Sequence, residues 1–136
     1  MKGLASVMLP LAVVTLTGAA TAHVHLLRSD PADHASVRAA PHAISLWFSE
    51  SVQLSVTTVR LSGPGGAVEL SAPRLGEGPH APIVCDVRGQ LVTGAQQISW
   101  RTMSRDGHAA SGTISFTLTA AAPAAAHQDA LPELRR

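Results

Sequence analysis

From Val24 onward, apolar and polar residues alternate in short runs separated by Gly, Pro, Asp and Ser clusters, and no stretch carries the 3.6-residue spacing of an amphipathic helix. In Ala43–Phe48, the residues Ile44, Leu46 and Phe48 interleave with Ala43, Ser45 and Trp47; further on, Ile114, Phe116 and Leu118 interleave with Thr113, Ser115 and Thr117. Successive side chains of a strand point to opposite faces, so each run offers one face to a core and the other to water. The same reading predicts strands over 24–28, 54–62, 68–70, 83–87, 96–102 and 112–119. About seven such strands predict an all-β sandwich. The connections read as turns: Ser62-Gly63-Pro64-Gly65-Gly66 is a Gly/Pro loop, and 88–94 ends on a Gly suited to positive φ.

The two ends of the chain break this pattern. Residues 1–22 have a single basic residue, Lys2, then an apolar stretch from Leu4 to Leu16, then Ala20-Thr21-Ala22. That order is the one a secretory signal peptide presents, with cleavage expected after Ala22, so that the mature domain runs over 23–119 and starts at His23. The apolar stretch contains Pro10, Thr15 and Thr17, which argues against a membrane-spanning anchor. Over 120–136 the chain turns Ala- and Pro-rich with little to bury, and a disordered tail is expected. Export permits disulfides, yet Cys85 is the only cysteine, so the core is expected to hold without one. Between Ile83 and Val87 its thiol is expected to be buried and inert.

Charge and composition narrow the partners. The formal net charge is +1 with no basic run, which leaves out the positive stripe that nucleic acid requires. Aromatic residues make up 3% of the chain and Tyr is absent, so a broad stacking face for polymers is not expected.

Chemistry concentrates in the histidines. Cleavage after Ala22 gives His23 a free α-amine, which with its own Nδ1 forms a two-nitrogen chelate. Amine and imidazole donors in a tetragonal plane suit Cu(II), the first-row divalent ion such sites hold most tightly. Asp106-Gly107-His108 adds a carboxylate and an imidazole two residues apart, which project to one side if the segment is extended. A D-G-H triplet also reads as an ordinary turn. His23-Val24-His25 has the form of the amino-terminal Cu(II)/Ni(II) motif, in which the amine, two deprotonated amides and the third-position imidazole surround the metal. A strand pinned by pairing resists that bending, so a brace of His23 with Asp106 and His108 is favoured and His25 becomes a neighbour about 6.6–7 Å along the same face. His34, His42, His80 and His127 fall in predicted loops or the tail and read as solvated.

The segments HVHLLRSDPADHASVRAAPHAISLWFSESV and GQLVTGAQQISWRTMSRDGHAASGTISFTL, with the spacing between them, resemble the CopC family of periplasmic copper-binding proteins over His23 to Leu118. The resemblance implies a Greek-key β-sandwich of immunoglobulin-like or cupredoxin-like type. It also implies a site for one Cu(II) per chain at His23, Asp106 and His108, with Glu50 of the FSE segment and His25 as further candidates. Glu50 reads equally as a solvated strand end. Two departures stand out. Some members carry a Met-rich Cu(I) site, whereas 62–80 here has no Met, so no Cu(I) site is expected. Gln96 stands where the family usually places an aromatic residue, which puts local packing in question.

The expected function is exported copper handling by a monomer, for resistance, sequestration or delivery to an inner-membrane copper transport protein, without catalysis. Two other classes fit parts of the pattern. A copper-dependent redox enzyme also uses a histidine brace, but needs open coordination positions and a substrate face. An adhesion or scaffold sandwich would make the histidines incidental.

Overall fold

The computed structural model describes residues 23–120; the expected leader, and all but Ala120 of the expected tail with His127, lie outside the described residues. Nine strands occur there in chain order: β1 (Leu26–Asp30), β2 (Ser36–Val37), β3 (Ala43–Phe48), β4 (Thr58–Gly63), β5 (Gly66–Val68), β6 (Arg74–Leu75), β7 (Ile83–Asp86), β8 (Gly94–Met103) and β9 (Ala109–Leu118). They form two sheets, one in the order β1-β3-β7-β6 and the other in the order β2-β9-β8-β4-β5. All pairings are antiparallel except β2 on β9.

Alternation along the strands builds the core between the sheets. Ile44 and Leu46 of β3 face Leu61 of β4, Ile98 and Trp100 of β8, and Ile114 and Phe116 of β9 in one buried cluster. Phe48 closes it at one end, its ring lying edge-on to Trp100 at 5.1 Å. The inward row of β8 runs Gln96, Ile98, Trp100, Thr102, and continues past the strand to the fully buried Ser104. Gln96 is 1% exposed in this row. Gly63 has no Cβ to collide with it, and its Nε2 donates to the carbonyls of Val92 at 2.6 Å and Gly94 at 3.2 Å.

The differences from the sequence-based strands are local. The first residues of the strand expected over 54–62 form a short 3-10 turn, Leu54–Val56, because the Thr57 hydroxyl donates to the Gln53 carbonyl at 2.8 Å and its N–H to Leu54. The strand expected over 68–70 forms two residues earlier, over Gly66–Val68, where Pro64-Gly65 makes a tight turn between Gly63 and Gly66. Strands β2 and β6 have two residues each, too few to register as a period. At the edge, β1 carries a bulge between Leu26 and Arg28; Leu27 is left 68% exposed and the Arg28 guanidinium lies 3.8 Å over the Trp47 ring.

Ile98, with no exposed surface, sits at the middle of the core. Ile98→Ala should destabilise the domain by about 2–5 kcal/mol, and Leu27→Ala by no more than about 0.5 kcal/mol. Urea unfolding of the two variants checks the contrast.

Candidate functional site

Both halves of the candidate site sit on the ends of strands. On the first half, buried Val24 anchors the chain just ahead of β1 and leaves His23 and His25 exposed on either side of it. His25 is fixed through its backbone: its N–H donates to Ser49 Oγ at 2.9 Å and its carbonyl accepts the Ser49 N–H at 2.8 Å. The predicted strand over 24–28 therefore keeps backbone contacts to β3's end as far back as His25.

The second half is the β8–β9 connection. Asp106-Gly107-His108 is not extended; it is a turn, with Gly107 at φ 93°, a conformation that favours glycine. The Gly107 N–H donates to the Ser104 carbonyl at 3.1 Å, and the Ser104 N–H to the His108 carbonyl at 2.9 Å. The turn still brings the two side chains together, with His108 Nδ1 2.9 Å from Asp106 Oδ2. The other carboxylate oxygen, Oδ1, accepts the Ser104 hydroxyl. Ser104, and after it His108, hold the Asp106 carboxyl below the usual carboxylate range. With Nδ1 turned to Asp106, His108 presents Nε2 outward, and each Asp106 oxygen keeps a further lone pair.

Across the gap between the halves, the His23 and His108 rings face each other edge to face with centroids 6.4 Å apart. The structure thus brings His23 to His108 and His108 to Asp106. Among the described residues no group of three or more His, Cys, Asp and Glu side chains is close enough to hold a metal as a ready-made set. In the full chain His23 follows Ala22, so its nitrogen is an amide.

The loop after β3 touches both halves. Ser49 holds His25, the Gln53 Nε2 donates to the Ser104 carbonyl at 2.8 Å, and the Gln53 N–H donates to the Met103 carbonyl at 2.8 Å. Glu50 lies between these anchors and lines a cleft of about 400 Å³ together with Phe48, His80 and Arg105. Its Oε1 is shut away from solvent with no hydrogen-bond partner. No hydrogen bond or ion pair links Glu50, or the His25 side chain, to His23, Asp106 or His108 among the described residues. His34, His42 and His80 lie outside the strands and are exposed. Ser104 and Gln53 are the site-supporting residues that the pattern of ligand types does not reveal. For Ser104 the signal was available in the parity of β8, which carries the inward row on to that position.

Comparison with known proteins places the fold in a family. Residues 26–119 match the CopC domain family. Protein YobA of Escherichia coli (strain K12) is 31% identical over 112 residues, covering 79% of this chain and 90% of its own. Copper resistance protein C of Xanthomonas campestris pv. juglandis is 30% identical over 125 residues, 86% of this chain and 96% of that one. The crystal structure of PcoC, a methionine rich copper resistance protein from Escherichia coli, superposes with a TM-score of 0.62 at 29% identity, over 72% of this chain and 100% of that one.

Soft sulfur donors are sparse here by contrast: within the described residues they are Met103 and Cys85. Cys85 is 1% exposed, and burial pushes its thiol up to about 11. The folded thiol therefore stays protonated where an unfolded one ionises. Its contribution to stability is complete below the ordinary thiol pKa and is lost as the pH rises through about 11. At pH 8 the native protein should leave a thiol-reactive chromophore unconsumed, and one equivalent should react on addition of denaturant.

Proposed function

The chain belongs to the CopC family, and on that premise we propose that it is an exported carrier holding one Cu(II) at the amino terminus of its mature form. The observation that carries this reading is the facing pair His23 and His108. Two imidazoles bound on opposite sides of one ion, at metal–nitrogen distances of about 2.0 Å, keep their ring centroids roughly 6 Å apart. The observed separation is 6.4 Å.

Removal of residues 1–22 turns the His23 nitrogen from an amide into an amine. His23 then supplies the amine and Nδ1, and His108 supplies Nε2, three nitrogens in the arrangement that tetragonal Cu(II) takes. Asp106 orients His108 and brings a carboxylate lone pair to the remaining side. Glu50, whose Oε1 lacks a partner, is the further oxygen donor from the loop between the halves. The amino-terminal motif through His25 is disfavoured. It would require the His25 amide to leave Ser49 Oγ and the chain to bend away from buried Val24.

Carriage is preferred to catalysis because the aromatic side chains are already engaged. Phe116 and Trp100 are buried, Phe48 packs on Trp100, and Trp47 lies under Arg28, which leaves no open ring on which a polysaccharide could stack. Relatives named for copper resistance fit a role in sequestration outside the cytoplasm, or in delivery to an inner-membrane copper transport protein. With no Met over 62–80 and a buried thiol, Cu(I) has no soft ligand set to occupy.

Protein beginning at His23 should bind one equivalent of Cu(II), and a Cu(I) chelator should find no tight Cu(I) complex to compete with. Affinity should fall as the pH drops below roughly 6, where protons displace copper from the amine and the imidazoles. Asp106, held low by Ser104, remains a carboxylate across that window. Competition titrations at pH 7 and pH 5 test this: equal affinity at the two would contradict nitrogen ligation, and a stoichiometric tight Cu(I) complex would contradict the selectivity.

A further inference from the structure

We infer that Ser104 is the positioning residue of the copper site: its buried hydroxyl locks Asp106 and His108 into one turn before any metal arrives. The inference rests on the copper reading above and adds to it the device that preforms half of the site.

Ser104 is completely buried, and every polar group it has is committed to this turn. Its N–H donates to the His108 carbonyl, and its carbonyl accepts the N–H of Gly107 and the Nε2 of Gln53. Its hydroxyl donates to Asp106 Oδ1 and accepts the His108 N–H at 3.0 Å. One oxygen atom therefore holds the side chain of Asp106 and the main chain of His108 together. Asp106 and His108 are themselves exposed and would otherwise sample several rotamers. A relay results, from Ser104 to Asp106 Oδ1, and from Asp106 Oδ2 to His108 Nδ1, which leaves Nε2 as the free nitrogen of a ring whose centroid lies 6.4 Å from that of His23. Partners that orient a metal-binding imidazole through a carboxylate typically matter 10–100-fold for affinity.

A second role for the same hydroxyl would be plain turn stability, and the test separates the two. Ser104→Ala is compared with Ser71→Ala, which removes a partly buried hydroxyl that accepts the Asp86 N–H at 2.8 Å beside the start of β3, at the opposite end of the sandwich from the turn. Both are made in protein beginning at His23. Without metal, amide hydrogen exchange at His108 should accelerate in Ser104→Ala and stay slow in Ser71→Ala. With Cu(II), Ser104→Ala should bind about 10–100-fold more weakly and show an altered electron paramagnetic resonance spectrum. Ser71→Ala should lower the melting temperature while keeping affinity within about two-fold and the spectrum unchanged. Unchanged affinity and spectrum in Ser104→Ala would overturn the inference, as would an equal loss of affinity in Ser71→Ala. Failure of the unsubstituted protein to bind Cu(II) would instead overturn the copper reading, and this inference with it.

Discussion

The register of β8 on β9 is the constraint from which the core and the candidate site both follow. Ten residue pairs join the two strands, from Gly94 with Leu118 to Met103 with Ala109. Within that register the even-numbered residues of β8 point inward, so the packing that buries Ile98 and Trp100 also buries Thr102 and, one step past the strand, Ser104. A slip of one residue would turn the whole row outward and take the seat of Asp106 and His108 with it. Hydrophobic burial along the strand thus sets the position of a polar turn at its end. The turn residues themselves remain exposed and contribute little to the core.

The first half of the site depends on a different anchor. His23 is positioned because Val24 is buried behind it and His25 is tied by both backbone groups to Ser49. Four residues further along the same loop, Gln53 reaches Ser104. One loop, fixed by β3 at one end and by the 3-10 turn at the other, therefore sets the distance between an amino-terminal imidazole and a hairpin imidazole that lie 85 residues apart in sequence. Glu50 is in the middle of it, and its Oε1 is buried there without a hydrogen-bond partner.

Much of this could be read from the sequence because the governing periods are short. Alternation alone bounds Ala43–Phe48, and it finds the long strands β8 and β9 with starts two and three residues late and ends within one residue. Strands β2 and β6 were not legible, since two residues have no period, and the 3-10 turn was hidden by the β-branched residues of 54–62, where a Thr57 hydroxyl bond outweighs strand propensity. The candidate ligands His23, Asp106 and His108 stand out by residue type, and of the two conformations open to Asp106-Gly107-His108, extended or turn, the turn at Gly107 is the one that forms. Ser104 carries no signal in its residue type; only the inward parity of β8, extended one step past the strand, points to it. The room for the Gln96 side chain comes from the absence of a side chain at Gly63, a contact between residues 33 apart that no local pattern contains, while Gln96 Oε1 stays buried without a hydrogen-bond partner.

The proposed copper site depends on the nitrogen of His23 becoming an amine, and one comparison tests that most directly. Protein beginning at His23 is set against the same protein with a single Ala placed in front, which keeps every side chain and the sandwich while replacing the chelating amine with an amide. Cu(II) affinity and the copper spectrum are measured for both. Far weaker binding and a different spectrum are expected in the extended form. Equal affinity with the same spectrum would contradict the proposed site and would place the metal on side chains alone.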